Sequence, residues 1–398
     1  MELKLDKDRV YALALEGGGA KGAYEIGCWQ ALTEAGIGFN AVSGTSVGAL
    51  NGAMMALDDL EKAKELWLNI RYSQVMDVDD EAMRKMFQKD MKGDDWRSIA
   101  SSLQEIMANK GFDVTPLRNL LEEAVDEDAV RASRRELFII TYSISDRKEL
   151  ELRAKDLTEP GEIRDMLLAS AYLPVFRNEK LGGKRYTDGG VADAVPLNVL
   201  VEQGYKDIIV IRMNGFGRQR SVKIPKDTNV YNIAAVRDLG NVLNFTEEQS
   251  EFDMTCGYFD AQRLLYGLSG SLYYVDRRWD EARAYRFLLE QMRALLHSFG
   301  RSASLRQINE DLLPRLEGKV EGKGDYHSAL LGFLEAAADE AGVDPFRVYT
   351  EDELITEVAR YYGHEGHNYP AFVNKAMQTK QPLIKKVTRR VRKTDKEE

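Results

Sequence analysis

Two glycine-punctuated turns within the first fifty residues constrain this chain more than any other feature. The first is Glu16-Gly17-Gly18-Gly19-Ala20-Lys21-Gly22 and the second is Gly44-Thr45-Ser46-Val47-Gly48. Each follows a short apolar run, Val10 to Leu15 and Phe39 to Ser43, and each precedes a stretch with helical composition, from about Gly22 to Leu32 and from Val47 to Ala56. Apolar runs of this length bounded by glycine read as buried parallel strands. Strand, tight turn and helix in succession, twice over, predict an α/β fold: three layers (α/β/α) around a mainly parallel central sheet. Glu136 to Tyr142 and Asp207 to Met213 read as further buried strands of that sheet.

The second turn has the spacing G-x-S-x-G. Alone that spacing is weak, but a strand before it and a helix after it make a nucleophile elbow, which exposes a serine at a strained corner. Ser46 is the candidate nucleophile. Gly44 and Gly48 clear space around it, Thr45 and Val47 complete the elbow, and the helix that follows turns its positive dipole end toward developing negative charge. The first turn, Gly17, Gly18, Gly19, Lys21 and Gly22, supplies backbone N–H groups for an oxyanion hole, with Lys21 as added positive potential or an ion-paired side chain. A dinucleotide site also uses G-x-G-x-x-G, but it needs an acidic residue about twenty positions on. Here the second strand ends in Ser43-Gly44-Thr45-Ser46. A phosphate-binding P-loop would need Gly-Lys-Ser/Thr, and Lys21 is followed by Gly22.

A serine hydroxyl needs a base, usually histidine. The four histidines, His297, His327, His364 and His367, all lie in the last quarter of the chain. His364 and His367 lack the HExxH pattern of a helical zinc site and read as loop residues. Asp188 is the better candidate: it follows the short strand Lys184 to Thr187 and precedes Gly189 and Gly190, a turn that presents a carboxylate. A Ser46–Asp188 dyad follows.

These residues closely resemble the patatin-like phospholipase family, bacterial in style. That family carries a glycine-rich oxyanion turn, a G-x-S-x-G elbow and an Asp-Gly-Gly/Ala element in this order. Ala169-Ser170-Ala171-Tyr172-Leu173-Pro174-Val175-Phe176 also resembles a segment these proteins carry just upstream of the catalytic aspartate. The resemblance covers residues 8–215 and reaches toward Tyr274. It implies lipid acyl hydrolysis, as by a phospholipase or lysophospholipase, through a serine acyl-enzyme, with no metal and no cofactor. Lys21 stands where an arginine is common and Glu16 where a small residue or aspartate is common, and neither change removes a backbone donor. The alternative is a non-catalytic lipid- or protein-binding relative of the same fold.

The chain has 398 residues, a net charge of −10 and two cysteines, Cys28 and Cys256. The negative charge argues against nucleic acid as a partner, and two cysteines give no disulfide framework. The charged N-terminus lacks a signal-peptide core, and no apolar run approaches a membrane span, so a cytoplasmic enzyme is expected, with peripheral membrane contact to reach a phospholipid or other acyl ester. We divide the chain into an acyl hydrolase domain, 1–279, with a helical insertion at about 60–127, and an all-α extension, 280–398. The extension is a candidate cover for the site or a surface for homo-oligomers. Met76, Met83, Met86, Phe87 and Met91 in the insertion suit either a helix core, the favoured reading, or an acyl groove or lid. In the extension, Leu305, Ile308, Leu312 and Leu316 form an apolar stripe, and Glu321 to Gly324 a loop. The basic run from Lys385 to Lys393 reads as a frayed terminus, with an anionic-lipid anchor as its alternative.

Overall fold

In the computed structural model, which describes residues 1–90, 111–177, 179–215, 217–298, 300, 302–317 and 324–364, the two leading apolar runs are adjacent strands. β1 (Tyr11–Leu15) pairs in parallel with β2 (Phe39–Thr45) on one side and with β6 (Asp207–Arg212) on the other. β2 pairs in parallel with β3 (Glu136–Ser143), and β6 with β7 (Asn229–Ala234). β4 (Lys148–Arg153) and β5 (Tyr186–Asp188) pair antiparallel with β3. The result is a seven-stranded sheet of order β4-β3-β2-β1-β6-β7, with β5 also on β3. The inner strands are buried along their length. The edge strands are largely half-buried to exposed, β4 being mostly charged and β7 interrupted by Asn229 and Asn232, which left them without the continuous apolar run of the inner strands.

Seven helices carry the argument: α1 (Ala23–Glu34), α2 (Val47–Leu57), α3 (Leu60–Leu68), α4 (Thr115–Ala124), α5 (Glu162–Ser170), α6 (Leu197–Glu202) and α7 (Glu247–Tyr266). Strand side chains alternate between the two faces of the sheet. Ala12, Ala14, Ala41, Phe138 and Ile140 pack with Val199 and Leu200 of α6. On the opposite face, Gly52 of α2 brings that helix close to Leu15, Val42 and Leu137. Helices therefore cover both faces, as the three-layer expectation required. α1 and α7 approach as closely as helices can: a Cβ added at Gly27 would lie 1.9 Å from Met254 O, and one at Gly257 1.9 Å from Tyr24 O.

The chain falls into two compact units, Met1–Gly267 and the residues from Leu268 onward. The break follows the left-handed glycine that ends α7 and lies ahead of the 279/280 division drawn from sequence. The second unit is helical, with Glu281–Ser298, Tyr326–Glu340 and Glu351–His364 as its main helices, but it is not all-α: Tyr274–Val275 and Val348–Tyr349 form a small parallel sheet. Its core includes Trp279, Leu288, Ile308, Leu312, Phe333 and Leu354, whereas Leu305 of the expected stripe is exposed. The side chains of Met86, Phe87, Leu316 and His364 lie outside the described residues, as do Met91, most of the loop from Glu321, His367 and the basic run at 385–393.

Candidate active site

All the parallel strands end at one edge of the sheet, so their following turns meet there. β2 runs into Ser46, which has φ 56° and ψ −127°. A non-glycine residue in this region costs about 1–3 kcal/mol and persists only where its surroundings fix it. The flanking glycines are required: a Cβ at Gly44 would lie 2.2 Å from Gly48 O, and one at Gly48 2.7 Å from Leu15 O. Ser46 is buried, and its N–H donates to Ser170 Oγ at 2.8 Å. Ser170 in turn donates to Ile140 O at 2.6 Å, so the end of α5 fastens the elbow to β3.

The register along β3 brings Asp188 to the same corner. Thr45, the last residue of β2, pairs with Ile140, and the next β3 residue, Thr141, pairs with Asp188. β5 thus takes up the place beside β3 that β2 vacates at Ser46. Gly189 makes this fit possible, since a Cβ there would meet Ile140 O at 2.3 Å. Asp188 Oδ1 accepts the Gly190 N–H at 2.7 Å. Oδ2 is buried without a hydrogen bond of normal geometry; the Ser46 hydroxyl is near enough to lower the carboxyl's pKa but falls short of a formed bond. Such bonds often tighten only when substrate binds. Burial is the larger effect and pushes the Asp188 carboxyl up to about 6.

The first glycine turn lies alongside. A Cβ at Gly17 would be 3.3 Å from Ser46 Cβ. Gly17 itself donates its N–H to Ala194 O, Ala20 donates to Val242 O, and Lys21 donates to Gly18 O. Among the described residues, the Gly18 and Gly19 N–H groups have no acceptor, which leaves both as available donors in this turn. Gly19 has φ +58°, and a Cβ there would lie 2.2 Å from Val242 O. Gly22 closes the short turn before α1. The Lys21 side chain is buried, and its charge acts on Asp253 of α7, whose carboxyl burial raises to about 8 against that attraction. Glu16 caps the arrangement: its Oε2 accepts the Met213 N–H from the end of β6 at 2.5 Å.

A cleft of about 900 Å³, open mouth included, begins at Ser46 and Gly19. Three helical stripes wall it. α2 gives Val47, Leu50, Asn51 and Met54; α3 and the residues just after it give Ala63, Leu66, Trp67 and Ile70; α4 gives Leu117, Leu120, Leu121 and Ala124. Each stripe has the spacing i, i+3, i+4, i+7 of one helix face. Among the described residues, no charged side chain lines the cleft. Met76 and Met83 are buried and are not among its lining residues; Met83 packs from the helix Asp80–Asp90, whereas Met76 is an extended residue just after the one-turn helix Tyr72–Val75. Sequence reasoning missed Ser170, Asn51 and Trp67. Ser170 sits inside a segment quoted for its resemblance, but nothing local marked its bond to Ser46; the other two look like ordinary helix residues until α2 and α3 meet. Among the described residues there is no cluster of three or more metal-ligating side chains.

Residues 13–201 match the family model described as patatin-like phospholipase, and the chain carries a domain of that family there. A stretch of 50 residues, 13% of this chain, is 50% identical to Lysophospholipase nte1 of Aspergillus terreus, of which it covers 3%. Over 204 residues, half of this chain, it is 26% identical to patatin-like phospholipase domain-containing protein 7 of Rattus norvegicus, covering 13% of that protein. The chain therefore matches only a small part of these relatives. Among solved structures, VipD from Legionella pneumophila aligns over 94% of this chain and 93% of its own, with 14% identity and a TM-score of 0.40.

Proposed function

We propose that the domain is a serine hydrolase of lipid acyl esters, with Ser46 as nucleophile and Asp188 as its base. The observation that carries this is the register on β3, in which Thr45 and Asp188 occupy consecutive pairing positions at the mouth of an apolar cleft. Asp188 takes the hydroxyl proton as Ser46 Oγ attacks the ester carbonyl. The N–H groups of Gly18 and Gly19, with the N-terminus of α2, stabilise the oxyanion. Collapse of that intermediate expels the alcohol, which receives the proton from Asp188, and leaves Ser46 acylated. Water then attacks the acyl-enzyme with Asp188 again as base, releasing the acid. The apolar cleft accounts for the acyl portion, and the enzyme reaches lipid by peripheral contact; among the described residues no helix is long and apolar enough to cross a membrane.

The test is intact mass after exposure to a fluorophosphonate probe, for wild type, Ser46→Ala and Asp188→Asn. One adduct on wild type, none on Ser46→Ala and slow labelling of Asp188→Asn are expected. A folded wild type that takes no adduct, with detergent present, would favour a non-catalytic relative.

A further inference from the structure

The geometry points to Trp67 as the residue that sets the width of the cleft beside Ser46, and so to a site that takes one unbranched acyl chain. The identity of the ligand as an acyl chain rests on the proposed hydrolase function. α2 leads away from Ser46, and only Asp58 and Asp59 separate it from α3, which returns. The far end of α3 therefore comes back to the elbow. The contacts agree: a Cβ at Gly22 would lie 2.4 Å from Val47 Cγ2 and 2.7 Å from Trp67 Cζ2. The indole edge, the residue after the nucleophile and the last residue of the glycine turn are in one cluster.

The indole is held in place. Its Nε1 donates to Asn51 Oδ1 at 2.9 Å. Asn51 Nδ2 donates to Gly22 O at 2.9 Å and to Glu25 Oε2 at 2.8 Å. Asn51 is 3% exposed and Glu25 is fully buried. Glu25 Oε1 has no partner among the described residues. Burial, with Glu16 nearby, raises the Glu25 carboxyl well above the usual carboxylate range. Aliphatic walls adjust by changing rotamer; an indole bonded through its only polar atom does not. A branch near the acyl carbonyl would need the space the indole fills.

The experiment measures kcat/KM on p-nitrophenyl hexanoate and 2-methylhexanoate for wild type, Trp67→Leu and Glu25→Gln. In parallel, binding of the two free acids is measured on the Ser46→Ala protein with and without Trp67→Leu. Wild type is expected to prefer the straight chain by about tenfold or more, the discrimination one methyl group commonly gives in an apolar pocket. Trp67→Leu should reduce that ratio about tenfold. Glu25→Gln keeps an oxygen for Asn51 and should leave the ratio unchanged. Equal use of both esters by wild type, or a ratio unaltered in folded Trp67→Leu, overturns the assignment while leaving the hydrolase function standing. Discrimination in acid binding without any turnover does the reverse, and neither binding nor turnover removes both.

Discussion

Replacing Asp188 by asparagine should destroy activity and stabilise the fold together. The carboxyl is buried at the junction of β3, β5 and the Ser46 corner, and its pKa rises from 3.8 to about 6. A carboxyl raised in the folded state is neutral there when the unfolded chain has already ionised it. Folding is therefore unpenalised below the unfolded value, loses stability as pH rises from about 4, and carries the full penalty above about 6. Two units correspond to about 3 kcal/mol. Asparagine removes that charge but keeps an oxygen for the Gly190 N–H, and its amide can donate toward Ser46 Oγ. Allowing for the amide's own desolvation, the gain should be about 1–3 kcal/mol at pH 8, or a Tm higher by several degrees, roughly 2–4 °C per kcal/mol at this size. Urea or thermal unfolding of both proteins at pH 4 and pH 8 measures it. A variant less stable than wild type at pH 8, or a gain equal at the two pH values, would refute the argument that burial strains this carboxylate.

The same ionisation should shape the rate: kcat/KM on a soluble ester should fall tenfold per unit below about pH 6, and a profile flat through this range would exclude Asp188 as the base. Gly19→Ala should lose most turnover and at least about 1–3 kcal/mol of stability, because it adds a Cβ at positive φ against Val242 O; unchanged kinetics would show that this turn is not the oxyanion site. In the second unit, Glu351 accepts the N–H groups of Arg278 and Trp279 and bonds buried His327 at 2.8 Å, which together hold its carboxyl down to about 2. Its contribution, about 3 kcal/mol, is present above pH 4.5 and is lost as pH falls through about 2. Glu351→Gln should remove that acid-labile part, seen in denaturation from pH 7 to pH 2 as a smaller loss than in wild type.

The two glycine turns, the elbow serine and the Asp188 turn were legible because each is a local solution to a local problem. A sharp corner needs small residues on both sides, and that need is written within five positions of the chain. Buried inner strands were legible for a similar reason, since strands covered on both faces become continuous apolar runs. The edge strands β4 and β7 were not: their pairing is non-local and their exposed faces are polar.

What the sequence determined by itself is therefore the parts: strand, glycine turn and helix in order, a serine at a strained corner, and an aspartate between a short strand and a glycine turn. Only the tertiary structure decided how they combine. Consecutive residues of β3 pair first with β2 and then with β5, which makes neighbours of positions 45 and 188. Only packing engages the Gly17 and Ala20 N–H groups with Ala194 and Val242 while, among the described residues, those of Gly18 and Gly19 have no acceptor. And only the return of α3 along α2 turns Trp67 from a helix residue into a wall of the cleft. The reason is physical: backbone strain and burial are properties of a few adjacent residues, whereas register, donor availability and cavity shape are set by chain segments that meet only after folding.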